Sequence, residues 1–154
     1  MSPEPEPCTP SAANLILRIC GLDNRQGNLN VAVFSSERPQ GFTVPDSEDF
    51  ATGIHLRLAD AEDGPVLRVP VARLRPGSYA VRVMHDENGN GKVDFGNIVG
   101  TPQEPYGYSR NRRARMSAVS FEEAAVVLGE EPLVLDVRVV RWSLTGGDSS
   151  PCPP

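Results

Sequence analysis

The feature that most constrains the fold is a series of short segments in which apolar and polar residues alternate. In the last of them, Leu133, Leu135 and Val137 alternate with Asp136 and Arg138. A period of two places successive side chains on opposite faces of a β-strand, so that one face can be buried while the other meets solvent. The earlier segments of this kind are the runs NLILRI, LNVAVFSS, GIHLRLAD, VLRVPVARL, SYAVRVMH and AVVL. Because turn residues separate these runs, the sequence predicts an all-β fold, an antiparallel β-sandwich of about seven strands with one long loop region after the fifth.

Several local details follow from individual residues. The run DNRQGN between the first two segments has turn chemistry, which favours a hairpin. Pro70 cannot donate a backbone hydrogen bond, so its strand is expected at a sheet edge or with a break there. In the fifth segment, Val81 is expected to face the core and Arg82 to face outward. Ser120 and Glu123 have the spacing of a capping box, which predicts a helical turn before the AVVL strand.

The size and composition of the chain fit one globular domain. A chain of 154 residues, 39% of them apolar, can bury about two-thirds of its surface on folding. We assign residues 14–145 to a single β-sandwich domain, and residues 1–13 and 146–154, which are rich in Pro, Ser and Gly, to flexible tails. The net charge of -5 argues against nonspecific nucleic-acid binding, and no apolar run approaches the roughly 18 residues that span a bilayer.

The cysteines give no support to a zinc or redox motif. Cys8, Cys20 and Cys152 form no CxxC pair and have no Cys/His ligand spacing. Cys8 and Cys152 lie in the two tails, and chain ends often lie close together, so a terminal disulfide is one expectation and two free surface thiols the other. Cys20 lies in a strand pattern and is expected to be a small packed residue. The N-terminal run MSPEPEPCTPSA has neither the basic nor the apolar region of a signal peptide.

The candidate functional feature is an acidic, Asn/Gly-rich loop, HDENGNGKVDFGN, from His85 to Asn97. Calcium takes about six to eight oxygen ligands, and a loop of about twelve residues can supply them from carboxylates, amides and backbone carbonyls. Gly91 falls where such a loop must turn sharply, and Gly89 adds backbone freedom. The metal ligands predicted on this template are Asp86, Asn88, Asn90, the Lys92 carbonyl, Asp94 and Asn97. Calcium is the expected ion.

The same loop also permits a metal-free interpretation. Asn97 stands where the calcium template has a bidentate Glu, so the predicted affinity is weak, with Glu87 or Glu104 able to complete the shell. The Asn-Gly dipeptides at 88–89 and 90–91 are both strong type I′ turn signals, and a polar hairpin needs no ion. A plain turn therefore stays open as the alternative.

A long connection without regular periodicity, from about 98 to 119, offers a candidate partner surface. His85 continues the inward face of its strand, so packing at the rim of the core is its expected role. The tyrosines could stack on a sugar or peptide, but aromatic residues in a long loop more often fold back onto the sheet. The arginines could meet phosphate, lipopolysaccharide or an acidic protein, or form a solvated face. The residues assigned to this candidate surface are His85, Glu104, Tyr106, Tyr108, Arg110, Arg112 and Arg113.

Two blocks of the chain resemble a known bacterial family. The run RLRPGSYAVRVMHDENGNGKVDFG, followed by GTPQEPYGYSRN and SFEEAAVVL, is similar to the blocks PxGxYAxxVxHDxNxNGxxD and PxExYGxSN of the family called domain of unknown function 2141. The similarity covers roughly Leu15 to Val140, and Arg110 before Asn111 departs from it. The resemblance implies a prealbumin-like or immunoglobulin-like sandwich and an exported, periplasmic or secreted protein, and it implies no established activity.

The function expected from these features is that of a noncatalytic extracytoplasmic binding or structural module. Its calcium loop would order an adjacent surface for an extracellular protein or glycan. One alternative is a small carbohydrate-active or hydrolytic enzyme that uses His85, Asp86 and Glu104, although the chain contains no GxSxG elbow. A second alternative is a ligand-free accessory domain that packs on another protein.

Overall fold

The structure is a computed structural model that describes residues 13–43, 50–89, 104–113, 119–141, 143 and 150–154. Within them the chain forms two sheets, which confirms the predicted all-β sandwich. The strands are β1 (Leu15–Cys20), β2 (Asn28–Ser35), β3 (Thr52–Arg57), β4 (Val66–Ala72), β5 (Gly77–Asp86), β6 (Tyr106–Tyr108), β7 (Val126–Leu128) and β8 (Leu133–Arg138). The helical elements are α1 (Phe121–Ala124) and 3₁₀ turns at Gln40–Thr43, Leu58–Asp60 and Ser109–Asn111. No described helix is long and apolar enough to cross a membrane.

The first two strands belong to different sheets, so the predicted hairpin between them is wrong. One sheet has the order β4-β1-β8, and the other has the order β3-β2-β5-β6 with β7 also paired to β5. β1 and β2 bury their apolar faces by packing across the space between the sheets, and the turn run carries the chain from one sheet to the other. β8 pairs with β1 in parallel, which departs from the antiparallel expectation. The chain reaches β8 from the second sheet, so no tight turn forces an antiparallel pair there.

The main hydrophobic core lies between the sheets and is built from the inward faces of the alternating segments. Leu17, Ile19, Val33, Val81 and Val137 are all fully buried in it. These residues occupy alternate positions of four different strands, as the period of two predicts.

A second apolar cluster covers the opposite face of the five-stranded sheet. Phe34 packs edge-on against Phe42, and Phe42 in turn packs against Tyr108 and Phe121. This cluster places the 40–43 turn, β6 and α1 over β2 and β5. The central strand β5 is therefore buried on both faces for most of its length.

Arg82 is buried in this second cluster, so the prediction that it faces solvent is wrong. Its Nη1 atom donates to the Phe42 carbonyl oxygen at 3.0 Å, and its guanidinium carbon lies 5.0 Å from the centre of the Phe34 ring. The alternation correctly predicts that Arg82 lies on the outer face of β5. That face is covered by elements from distant parts of the chain, which the local pattern of β5 does not reveal.

Other local predictions are confirmed. Pro70 lies in β4, which is an edge strand. Ser120 caps α1: its Oγ accepts the Glu123 N–H at 3.2 Å, and the Glu123 carboxylate accepts the Ser120 N–H at 3.3 Å. The prediction that the long connection lacks regular structure is wrong in its described part, which holds β6 and the 3₁₀ turn Ser109–Asn111.

Cys152 forms a disulfide with Cys20, across a Cα–Cα distance of 5.8 Å. Pairing of Cys152 with Cys8 and a free thiol at Cys152 are both wrong as expectations, and Cys8 itself lies outside the described residues. Cys20 is buried as predicted. It lies on the outward face of β1 together with Arg18, where a chain end crossing the sheet can reach it.

Residues 150–154, which are predicted from composition to lie in a flexible tail, are attached to the three-stranded sheet. The Cys152 N–H donates to the Asp136 carboxylate at 3.0 Å, and the Arg138 guanidinium donates to the Pro151 carbonyl at 3.1 Å. Arg18 also donates to the Pro153 carbonyl. These bonds and the disulfide hold the chain end across β1 and β8.

Candidate functional site

The Asn/Gly-rich loop begins at the end of β5, the most enclosed strand of the fold. Asp86 is the last residue of β5, pairs with Asn28 of β2, and has a side chain that is only 1% exposed. Gly27 has φ +70°, and a Cβ atom there would lie 2.0 Å from the Asp86 carbonyl oxygen. The neighbouring turn therefore needs glycine, because it packs its backbone directly on the start of the loop.

The first residues of the loop form a tight turn. The Gly89 N–H donates to the Asp86 carbonyl oxygen at 3.3 Å, and Gly89 has φ +68°. Asn88 does not have a positive φ. A type I′ turn centred on Asn88-Gly89 needs positive φ at both residues, so this part of the metal-free alternative is not formed. The second dipeptide, Asn90-Gly91, lies outside the described residues.

A buried carboxylate closes the loop from the other side. Glu104 is 8% exposed, and its Oε2 atom accepts the Glu87 N–H at 2.7 Å and lies 3.5 Å from the Asn88 nitrogen. Next to it, the Pro105 carbonyl accepts the His85 N–H at 2.9 Å. Segment 104–105 thus satisfies the backbone donors at the end of β5. The Glu104 carboxylate contacts the backbone N–H groups of the loop.

Glu87 is held in an ion pair that spans three segments. Arg141 donates to both carboxylate oxygens of Glu87, at 3.1 and 2.7 Å, and its Nε donates to Asp23 at 3.1 Å. Asn24 adds a bond to Glu87 at 2.7 Å. The hydrogen bond from Arg141 lowers the pKa of Glu87 against the opposing effect of burial, and Asn24 lowers it further. Glu87 is therefore ionised and oriented toward Arg141, a residue that carried no sequence signal.

His85 packs at the rim of the core, as predicted. Its side chain is fully buried, and Nε2 lies 2.7 Å from the Gln26 carbonyl oxygen. Because a carbonyl can only accept, Nε2 carries the proton. Nδ1 is buried and has no hydrogen-bond partner among the described residues. His85 therefore holds the turn before β2 against the end of β5.

The tyrosines fold back onto the sheet, which confirms the expectation of packing. Tyr106 is fully buried, Tyr108 nearly so, and their rings lie 5.5 Å apart. Burial raises the pKa of Tyr108 to about 12, against the opposing charge of Arg82. With His85 and Glu104 also buried, four members of the predicted partner surface lie inside the protein.

Arg110 and Arg112 remain exposed, and Arg113 is half-buried. These three arginines are the part of the predicted partner surface that reaches solvent in the structure.

Three residues of the PYGYSRN block have structural roles that the sequence did not assign. Ser109 Oγ accepts the Val81 N–H at 2.9 Å and donates to the Ala124 carbonyl at 2.6 Å. Asn111 Oδ1 accepts the Arg138 N–H at 2.9 Å. Gly107 packs so closely on β8 that a Cβ atom would lie 2.7 Å from a methyl group of Val137. Resemblance to the family block is the only sequence signal for them, since their partners lie far away along the chain.

Of the predicted calcium ligands, Asp86 and Asn88 lie in the described chain, while Asn90, Lys92, Asp94 and Asn97 lie outside it. The described part brings together no group of three or more His, Cys, Asp or Glu side chains that could hold a metal ion. The Asp86 side chain is buried at the end of β5, and the Asn88 side chain is exposed.

The fold and site define a class: a two-sheet β-sandwich whose enclosed central strand opens into an acidic, Asn/Gly-rich loop. The chain belongs to the family described as an uncharacterized protein conserved in bacteria, DUF2141, whose model matches residues 17–135. The searches of curated proteins and of solved structures found no match.

Proposed function

We propose that this protein is a noncatalytic extracytoplasmic module in which calcium, bound by the loop from Asp86 to Asn97, orders an adjacent surface for an extracellular partner. The ion is structural in this proposal. It stabilises only the conformation in which the ligands are in place, by an amount set by its free concentration relative to its dissociation constant.

The observation that carries the proposal is the position of Asp86. Asp86 is buried at the end of β5 and opens the run DENGNGKVD, in which oxygen-bearing side chains recur at alternate positions. This is the arrangement that loop-type calcium sites use.

The frame around Asp86 supports the same conclusion. Gly27, Gly89 and Glu104 fix the backbone at the start of the loop, so the first ligands need little ordering when the ion binds. Glu87 and Glu104 are engaged by Arg141 and by backbone N–H groups, respectively. The proposal therefore draws its ligands from the predicted set in the loop and not from Glu87 or Glu104.

An extracytoplasmic location is supported by the Cys20–Cys152 disulfide. Disulfides form and persist in oxidising compartments such as the periplasm and the extracellular space, and are rare where glutathione and thioredoxin keep thiols reduced. The disulfide supports export independently of the family resemblance.

A noncatalytic role is supported by the state of the residues that an enzyme would use. The His85 imidazole is fully buried against Gln26, and Glu104 is bound to the backbone of the loop. General acid–base catalysis requires such groups within hydrogen-bond reach of a substrate proton. Their present contacts serve to hold the loop in position.

Thermal unfolding of the chelator-treated protein tests the proposal. We expect calcium, but not magnesium, to raise the melting temperature, with a stabilisation of about 2.7 kcal/mol when calcium reaches one hundred times its dissociation constant. The variant Asp86→Asn keeps the shape of the side chain and removes its charge, so its calcium-dependent shift should largely disappear.

The matched control is Asp63→Asn, which removes one charge from an exposed position outside the site. Its calcium-dependent shift should equal that of the unaltered protein. A shift that survives in Asp86→Asn, or that falls equally in both variants, would rule out Asp86 as a ligand.

A further inference from the structure

A second site is suggested by Arg110 and Arg112, two exposed arginines that follow β6 in the chain. The Arg110 Nη1 and Arg112 Nε atoms point at the same acceptor, the Glu123 carbonyl oxygen, at 3.4 and 3.1 Å. Because both nitrogens lie within these distances of one oxygen atom, they can be no more than about 6.5 Å apart. Two positive guanidinium groups are thus held side by side at the surface.

The backbone that presents this pair is strained. Arg110 has φ 62° and Asn111 has φ 49°, which are left-handed conformations that strain the backbone of residues other than glycine. Asn111 is held there because its Oδ1 atom accepts the Arg138 N–H of β8. Ser109, the preceding residue, is fixed by bonds to β5 and to the residue that ends α1. The fold therefore maintains the local conformation that sets Arg110 beside Arg112.

Neither arginine forms an ion pair with a carboxylate in the described part of the chain. The ion pairs found there belong to Arg18, Arg57 and Arg141. Glu123 offers the pair its carbonyl, while its carboxylate accepts hydrogen bonds from Ser120. Two like charges at this separation repel each other, and the chain as a whole is acidic, with a net charge of -5. An anion seated between the guanidinium groups would relieve this repulsion.

We propose that Arg110 and Arg112 form a binding site for a phosphate monoester. A phosphate dianion carries several acceptor oxygens and nearly two charges, so it can accept from both guanidinium forks at once, whereas a carboxylate satisfies one fork. The proposal does not depend on calcium, because the preceding residue, Ser109, contacts Val81 in the middle of β5, away from the loop that begins at Asp86. The phosphate can come from a soluble ester or from a lipid headgroup.

Titration of the full-length protein with inorganic phosphate, followed by ¹⁵N–¹H NMR, tests the site without any mutation. We expect saturable shifts of the Arg110 and Arg112 side-chain Nε–H signals and of the Glu123 and Ala124 amides. The double variant R110Q/R112Q should bind phosphate at least about tenfold more weakly, and acetate should produce much smaller shifts in the unaltered protein. The matched control is R73Q/R75Q, which removes two exposed positive charges from the β4–β5 connection and should bind normally.

Sedimentation with phosphatidylcholine vesicles, with and without phosphatidic acid, identifies the source of the phosphate. Binding only to the acidic vesicles, lost in R110Q/R112Q, points to a lipid headgroup; binding of free phosphate without vesicle binding points to a soluble ester. The proposal is overturned if neither probe binds, or if R73Q/R75Q weakens binding as much as R110Q/R112Q. If the double variant does not fold, the single variants R110Q and R112Q replace it, each with an expected loss of at least about threefold.

Discussion

Gly27 is the single residue on which the geometry of the candidate loop depends most. The chain turns there with φ +70°, and its α-carbon has no space for a side chain because the Asp86 and Glu87 carbonyl oxygens lie against it. An alanine would have to move the end of β5, and with it Asp86, away from the turn. The glycine therefore links the approach to β2 to the first predicted calcium ligand.

We expect Gly27→Ala to destabilise the protein by about 3 kcal/mol or more, since backbone strain and a steric clash add together. Gly64→Ala is the control, because Gly64 also has positive φ (+126°) but a Cβ atom there meets nothing within 4 Å. It should cost about 1 kcal/mol. Urea unfolding measures both values, and equal losses for the two variants would show that close packing at Gly27 is unimportant.

At the scale of elements, β6 is a short strand with a large structural effect. It pairs with β5, brings two tyrosine rings into the second apolar cluster, and contacts the chain just after β8 through a bridge between Tyr106 and Val140. Through β6, part of the long connection after the loop packs on the five-stranded sheet. The loop is therefore anchored by β5 at its start and by the segment that begins at Glu104 at its end.

The burial of β6 predicts a specific loss of stability at alkaline pH. The Tyr108 phenol is neutral in the folded state, and burial raises its pKa from 10.0 to about 12. A raised pKa means that the contribution to stability is complete below pH 10 and is lost as the pH rises toward 12. Full loss corresponds to about 2 to 3 kcal/mol.

Urea unfolding at pH 9 and at pH 11 measures this effect. The fall in unfolding free energy between the two pH values should be smaller in Tyr108→Phe, which cannot ionise, than in the unaltered protein. Tyr79→Phe retains Tyr108 and should keep the full decrease. An unchanged pH dependence in Tyr108→Phe would mean that the phenol reaches solvent.

The elements that were predictable from sequence are those whose signal is local. Alternating residues revealed β1, β2 and β8, and the Ser120/Glu123 spacing revealed the cap of α1. The position of Arg82 and the role of Ser109 could not be predicted in this way. Each depends on residues between 15 and 40 positions away along the chain, which only the fold brings near. The packing of Tyr106 and Tyr108 is expected from the sequence, but the cover that buries them is made by tertiary contacts, which no local pattern shows.

At the scale of the whole molecule, the Cys20–Cys152 disulfide joins the first strand to the chain end, over a sequence separation of 132. Closing so long a loop restricts the unfolded chain strongly, and the chain-entropy account gives a stabilisation of about 4 to 5 kcal/mol as an upper value. The disulfide also fixes the last residues across β1 and β8. Spacing alone could not identify the pair, because Cys8 was an equally available partner.

We expect the double variant C20A/C152A, or reduction of the unaltered protein, to lower the melting temperature by about 8 °C or more. Cys8→Ser should melt at the same temperature as the unaltered protein, and it should lose its disulfide under the same reducing conditions. A large loss of stability in Cys8→Ser would show that Cys8 takes part in a disulfide.

Calorimetric titration of the chelator-treated protein with calcium, with magnesium as the control ion, tests whether the loop binds calcium. We expect saturable heat for about one calcium ion per chain, weak affinity of the order expected for extracellular calcium modules, and no comparable heat for magnesium. Asp86→Asn should abolish the calcium heat, while Asp63→Asn should leave it unchanged. Absence of saturable heat at millimolar calcium would rule out a calcium site and leave the loop as an ion-free connection.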